Sequence, residues 1–225
     1  MKKILEFQNV TVRAQGDIGI TFRIDQSDFI FVLLEDGSDR FPLCDLAEGL
    51  QEPTYGWVEF MGERWNDMRP FRQSEMRGRI GRVFEENGWV SNLSIYENIA
   101  LSQRHHTTRP EHDIRVEAEH LAHLAGLDSV PDTRPHRLGT SRLRAAEWVR
   151  AFIGAPALVL LEQPEMGVSR EQVKKLMNMV VGTLSKGSAV VWTTMDVQLW
   201  RDKTMDKAKR YNIRDTSMTC TEKTV

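Results

Sequence analysis

The segment from Phe29 to Leu34 constrains the fold of this chain more than any other feature. It reads Phe-Ile-Phe-Val-Leu-Leu and contains no polar residue. A strand that is apolar on both faces must be covered on both faces, which is typical of a largely parallel sheet. A second central strand is predicted at 80–84, and further buried strands at 157–161 and 189–192 flank an amphipathic helix at 171–184. This strand, helix, strand order predicts an α/β fold.

The N-terminal segment and the middle of the chain follow other patterns. Apolar residues at 5–12 lie among polar ones, and residues 18–24 alternate between apolar and polar or small ones, which predicts antiparallel edge strands. A short helix is expected at about 41–50, after a glycine-containing loop. Residues 89–150 are predicted to be mainly helical, with apolar residues at helical spacing. Those residues are Val116, Leu121, Leu124 and Leu127.

Composition excludes several classes of function. The 225 residues include 30 Lys and Arg against 32 Asp and Glu, so the formal net charge of −2 gives no reason to expect nucleic acid as a partner. Cys44 and Cys220 have no zinc-site spacing, and His120 and His123 are expected to lie on a polar helix face rather than to bind a metal. The chain has no apolar stretch long enough for a leader or a membrane span, which predicts a cytoplasmic protein.

Four stretches resemble the ATP-binding subunits of ABC transporters. They read EPTYGWVEFMG at 52–62, RIGRVFEENG at 79–88, SNLSIYENIAL at 91–101 and ALVLLEQPEMG at 157–167. The resemblance implies a single cassette over 1–225 with a P-loop NTPase-like fold, in which a mainly parallel central sheet is joined by an antiparallel N-terminal β part. It places the core and β part at 1–88 and 151–225, and an inserted helical lobe at 89–150. The wording of 87–106 is closest to the ATPases of bacterial intermembrane phospholipid (Mla-type) transporters.

The phosphate-binding loop of that family is degenerate here. A Walker A motif, GxxxxGK[ST], needs glycines that let backbone N–H groups wrap the phosphates, a lysine that reaches them and a hydroxyl for magnesium. Its last glycine falls on Asp39, its lysine on Arg40 and its hydroxyl pair on Phe41 and Pro42. Asp39 puts a carboxylate where the phosphates bind, and one like-charge contact at roughly 4 Å costs on the order of 4 kcal/mol. The degenerate loop is Gly37, Ser38, Asp39, Arg40, Phe41 and Pro42.

The catalytic positions implied by the resemblance are also replaced. The glutamine of the Q-loop corresponds to Glu85, and the Walker B aspartate corresponds to Glu162, which is either an ion-paired structural carboxylate or a remaining metal ligand. The catalytic glutamate that follows is Gln163, an amide that cannot act as a general base. The switch histidine is Met195, for which packing is the simplest account.

Three further sites that the family uses to bind nucleotide are also replaced in this sequence. The signature sequence LSGGQ corresponds to Leu138, Gly139, Thr140, Ser141 and Arg142, so side chains stand where two glycines allow a phosphate to approach a helix N-terminus. The adenine-stacking aromatic corresponds to Ala14, and the D-loop aspartate corresponds to Ser169.

These replacements predict a pseudo-ATPase that docks on a membrane permease. We expect no catalytic residue, metal or cofactor, a location on the inner face of the cell membrane, and a homodimer or a heterodimer with an intact ATPase subunit. The docking surface is expected at Asn87, Gly88, Trp89, Val90 and Leu93, with Trp89 as an exposed loop aromatic. Two alternatives stay open. One is an ABC ATPase that binds ATP and magnesium with atypical residues, and the other is a free-standing protein-binding scaffold.

Overall fold

The computed structural model of the protein describes residues 2–12, 19–35, 41–86, 88–202, 207–214 and 217–220. Several residues singled out by the sequence lie outside these ranges. They are Ala14, Gly37, Ser38, Asp39, Arg40 and Asn87.

The strands of the described residues follow the order expected from the apolar runs. They are β1 (Lys3–Thr11), β2 (Ile20–Asp25), β3 (Phe29–Leu34), β4 (Tyr55–Phe60), β5 (Glu63–Arg64), β6 (Ile80–Val83), β7 (Leu158–Glu162), β8 (Ala189–Thr194), β9 (Lys209–Arg214) and β10 (Ser217–Cys220).

The helices include both short connecting helices and long amphipathic ones. They are α1 (Leu43–Ala47), α2 (Pro70–Arg77), α3 (Ile95–His106), α4 (Glu111–Ala125), α5 (Thr140–Phe152), α6 (Arg170–Ser185) and α7 (Val197–Trp200), with single 3-10 turns at Trp65–Asp67 and Pro135–Arg137. Within the described residues, none of these helices is long and apolar enough to cross a membrane.

The chain divides into two compact units, and the first comprises residues 1–77 and 189–225. It contains an antiparallel sheet in the order β2-β1-β4-β5. It also contains β3, which pairs in parallel with both β8 and β9, while β10 pairs antiparallel to β9. Residues 29–33 of β3 are all buried, as the apolar run predicts for a strand covered on both faces. The α/β fold class with an antiparallel N-terminal part is thereby confirmed.

Helix α1 is shorter than the sequence predicted. It ends at Ala47 rather than near Leu50, because Gly49 adopts a left-handed φ of 62°. A Cβ atom at this glycine would lie 2.5 Å from the Trp65 ring, so both the backbone turn and the packing require glycine there.

The second unit, residues 78–188, contains the parallel pair β6 and β7 and helices α3 to α6. Helix α5 lies so close to β6 that a Cβ atom on Gly81 would fall 1.7 Å from the backbone oxygen of Ala151. Helix α3 begins with a capping box between Ser94 and Glu97, and α6 with one between Ser169 and Gln172. Ser169, at the position of the D-loop aspartate, therefore serves as a helix cap.

Helix α4 lies in the region predicted to be helical and packs on its core mainly through small residues. Its buried side chains are Ile114, Ala118, Ala122 and Ala125. Val116 is 55% exposed and Leu124 is 44% exposed, whereas Leu127, beyond the helix, is buried. Three alanines therefore form most of the packed stripe of α4.

Candidate functional site

The end of the expected phosphate loop is apolar and buried in the first unit. Phe41 is only 5% exposed, and Pro42 stands at the N-cap of α1, where its side chain makes no capping hydrogen bond. The Phe41 carbonyl accepts the Leu43 N–H at 2.7 Å and the Pro42 carbonyl accepts the Leu46 N–H at 2.9 Å. Phe41 is thus part of the core at the position that the resemblance gives to a metal-binding hydroxyl.

Glu162, at the end of β7 in the second unit, forms an ion pair with Arg82 on β6. The Arg82 Nε donates to the Glu162 Oε1 over 2.5 Å, and the two side chains are 7% and 20% exposed. Parallel pairing of β6 and β7 places the two residues on neighbouring strands. Of the two roles considered for Glu162, the structure shows the ion-paired carboxylate.

Gln163 and Glu85 contact each other in the same unit. The Gln163 Nε2 donates to the Glu85 Oε1 over 2.9 Å, and Gln163 is 5% exposed. Gln163 has a left-handed φ of 43°, a conformation that costs a non-glycine residue on the order of 1–2 kcal/mol. The resemblance implies an amide side chain at position 85 and a carboxylate at position 163. In this chain the carboxylate is at position 85 and the amide at position 163, and a hydrogen bond joins them.

The signature segment forms the start of α5. Gly139 is the N-cap and offers no side-chain cap, and Leu138 is half-buried before it. Thr140 and Arg142 are exposed, while the Ser141 Oγ lies 2.7 Å from the Gln172 Nε2, which donates to it. The hydroxyl of Ser141 therefore already has a partner within its own unit.

The segment expected to dock a partner lies before α3. Gly88 and Val90 are exposed, and Leu93 is half-buried. Trp89 is not a free loop aromatic, because its Nε1 donates to the Glu147 Oε1 over 2.9 Å and Glu147 is 1% exposed. A role of this surface in binding stays a prediction. The expectation that Trp89 is an exposed loop aromatic is wrong, because the residue is half-buried and hydrogen-bonded.

A second set of charges surrounds the same carboxylate. The Arg144 Nη1 lies 2.6 Å from the Glu147 Oε2, and the Arg150 guanidinium lies 4.5 Å from the centre of the Trp89 ring. Burial raises the pKa of Glu147, and the charges of Arg144 and Arg150 act in the opposite direction. Burial also lowers the pKa of Arg150.

No known protein family matches the chain in a scan of family profiles. Individual relatives do match it. The chain is 26% identical over 204 residues to an ABC transporter ATP-binding protein of Caldanaerobacter subterraneus subsp. tengcongensis, across 88% of this chain and 84% of that protein. It is 23% identical over 207 residues to an ABC transporter ATP-binding protein of Thermotoga maritima, across 88% of each.

The solved structures that superpose on this chain are also ATP-binding cassettes. An ATP-binding cassette solved as a dimer in a post-hydrolysis state, with ADP and phosphate, superposes with a TM-score of 0.84 at 19% identity, over 96% of this chain and 98% of that one. The chain is a relative of the ABC-transporter ATP-binding proteins and has their cassette fold. A cassette in its ADP conformation superposes less closely, with a TM-score of 0.74 at 16% identity, over 97% of this chain and 90% of that one.

Met195, at the position of the switch histidine, is not a packed residue. The packing account of this residue is wrong, because Met195 is 45% exposed at the end of β8, beside the fully buried Thr194. The following Asp196 caps α7, and its Oδ1 accepts the N–H groups of Gln198 and Leu199. The capped helix start therefore fixes the backbone after Met195, while nearly half of the surface of Met195 stays exposed.

The sequence analysis missed the residues that contact Glu162, Trp89 and the backbone of Glu85. It did not single out Arg82, Arg144 or Glu147, although a charged residue inside a predicted core strand or on the apolar face of a helix is an available signal. Among the described residues, no group of three or more His, Cys, Asp or Glu side chains is arranged to hold a metal ion. His120 and His123 are exposed on α4, as expected.

Proposed function

We propose that this chain is a non-catalytic ATP-binding-cassette subunit or regulator of an ABC transporter, docked on a membrane permease. The observation that carries this proposal is the ion pair between Arg82 and Glu162. Glu162 stands at the position of the Walker B aspartate, and a guanidinium fixed against it competes with any metal ion for the same carboxylate.

The remaining described residues do not fit a magnesium nucleotide either. Phe41 has no side-chain oxygen for a metal, Pro42 has no N–H for a phosphate, and α1 has only five residues. Gln163 cannot act as a general base towards water, and its side chain is hydrogen-bonded to Glu85. The residues of the first unit and those of the second unit therefore support the proposal independently.

The proposed partners follow from the relatives. A similar cassette was solved as a dimer, and the relatives are named as transporter subunits, which supports pairing with a second cassette and with a permease. The second cassette is either another copy of this chain or an intact ATPase. The wording of residues 87–106 supports a phospholipid as the cargo, and association with the inner face of the membrane follows from docking on the permease.

Docking is tested by purifying the tagged chain from its native host. We expect an integral-membrane permease of the ABC type to co-purify with it. Val90→Asp, at a residue 41% exposed on the expected docking surface, should reduce that recovery at least tenfold. Val116→Asp is the matched control, because Val116 is 55% exposed on α4 and should leave recovery unchanged. Recovery without any permease would favour the free-standing scaffold.

Catalysis is tested on the full-length chain purified alone after expression in a heterologous host, so that no partner ATPase is present. We expect no steady-state ATP hydrolysis by the purified chain. Turnover near the ordinary enzyme range of about 1–10 per second would contradict the proposal and favour the atypical ATPase.

A further inference from the structure

The segment 84–90 is held by side chains of two helices, as seen in its described residues 84–86 and 88–90. The Arg144 guanidinium of α5 donates to the backbone oxygens of Phe84, at 2.9 Å, and Glu85, at 3.3 Å. The Arg150 guanidinium, also of α5, donates to the backbone oxygen of Gly88. A loop gains order when its backbone groups find protein partners instead of water.

Asn98 of α3 secures the end of the same segment. This side chain is 4% exposed, and its Oδ1 accepts the Val90 N–H over 2.8 Å while its Nδ2 donates to the Val90 oxygen over 3.1 Å. Both backbone groups of an otherwise exposed residue are therefore bound to one buried amide. The Val90 N–H is a specific reporter of whether the segment is in place.

Glu147 is the buried centre of these contacts. It accepts from Trp89 on one oxygen and from Arg144 on the other, so the residue that orients Arg144 also holds the indole. A buried carboxylate is tolerated only when such partners are present. Trp89 is further fixed by the Arg150 guanidinium near its ring.

We propose that Trp89 and Glu147 form a latch that fixes residues 84–86 and 88–90 on α5 through contacts between protein groups, so that the surface around Val90 is preformed for its protein partner. Glu147 is a positioning residue in this latch, because it acts through Trp89 and Arg144. The inference deepens the proposed function and rests on it only for the identity of the partner.

Amide hydrogen exchange on the isolated full-length chain tests the latch. Trp89→Phe keeps an aromatic ring and removes the N–H that Glu147 accepts. We expect the Val90 amide to exchange about tenfold faster in this variant, which corresponds to about 1.4 kcal/mol. Amides at 145–149, inside α5, should exchange as in the unchanged protein, because the latch orders the segment and not the helix.

The matched control is Trp57→Phe, the same substitution in the first unit. The Trp57 ring lies under the Arg64 guanidinium, 3.9 Å away, so it also loses part of a cation–π contact. This variant should leave the exchange of the Val90 amide unchanged.

Two results would overturn the latch. One is a Val90 exchange rate in Trp89→Phe within twofold of the unchanged protein. The other is equal acceleration at Val90 and at 145–149, which would assign Trp89 a purely structural role in the unit. Because no permease is present in this experiment, either result leaves the docking proposal standing. Conversely, an intact latch in a chain that recovers no permease would contradict the proposed function alone.

Discussion

At the scale of single residues, the ion pair between Arg82 and Glu162 determines how the protein tolerates changes at the Walker B position. This side chain is 7% exposed and would be costly to bury alone, but Glu162 provides a carboxylate at hydrogen-bonding distance. The guanidinium also lies 4.5 Å from the centre of the Phe84 ring. A substitution that removes Glu162 therefore has a consequence beyond the lost contact, since it leaves a buried positive charge behind.

Glu162→Ala is expected to lower the free energy of unfolding by about 2–4 kcal/mol, slightly below the usual cost of breaking a fully buried pair. The double change Arg82→Met with Glu162→Leu should recover most of that loss, because it removes both charges. Urea unfolding measures both variants. Glu75→Ala is the control, since it breaks an exposed pair with Arg72 and should cost much less. A double variant no more stable than Glu162→Ala would show that the charge is not what matters.

The exchanged pair of Glu85 and Gln163 gives a pH-dependent prediction. Gln163→Glu brings two carboxyl groups together, which raises the pKa of one of them in the folded state. A raised folded pKa means that the variant loses stability relative to the natural chain as the pH rises, from about pH 4 towards pH 7. Adding Glu85→Gln should remove that loss by restoring one amide and one carboxylate. Unfolding at the two pH values checks this, and a loss that shrinks with rising pH would contradict it.

Restoring the phosphate loop has a structural cost. Phe41→Ser removes a ring that is 5% exposed, so it should lower the free energy of unfolding by about 3–5 kcal/mol, in the range of large core truncations. Phe71→Ser is the matched control, because Phe71 is 83% exposed and its loss should cost about 0.5 kcal/mol or less. Chemical unfolding of the two variants separates them. Equal costs would mean that Phe41 is not a core residue.

At the scale of elements, the success of the sequence analysis depended on how apolar each element is. β3 was predicted with its observed ends, because six consecutive apolar residues leave no choice of face. Helix α4 lies within the region predicted to be helical, but the sequence did not indicate its buried face, because its core stripe contains small alanines while its larger Val116 and Leu124 are exposed. The close approach that Ala118 permits is not visible in a pattern of hydrophobicity.

The observed face of α4 is tested by two substitutions. Ala118→Leu should destabilise the protein by about 1–3 kcal/mol, since Ala118 has no exposed surface and the added carbons overpack the contact. Val116→Gln should change stability by about 0.5 kcal/mol or less, because that side chain is already in solvent. Thermal unfolding checks both. The reverse order of the two effects would contradict the observed face.

At the scale of the whole molecule, the chain keeps the cassette fold while the positions that the family uses for chemistry make contacts of other kinds. The α/β class could be predicted because it depends on apolar runs, which are local in the sequence, and the cassette fold was implied by the resemblance of four stretches. The partners of Glu162, Gln163 and Trp89 could not, because each lies about 60 to 80 residues away along the chain. Such contacts require the strands and helices to be placed first.

The most direct test of this account is the binding of ATP with magnesium, measured as a thermal shift of the full-length chain at millimolar nucleotide. A ligand at about 100 times its dissociation constant stabilises a fold by about 2.7 kcal/mol, which corresponds to a rise of roughly 5–10 °C for a chain of this size. The related ATP-binding protein of Thermotoga maritima, measured in parallel, is the comparison. We predict no shift for this chain, with magnesium alone as the blank. A clear rise with ATP and magnesium would contradict the account.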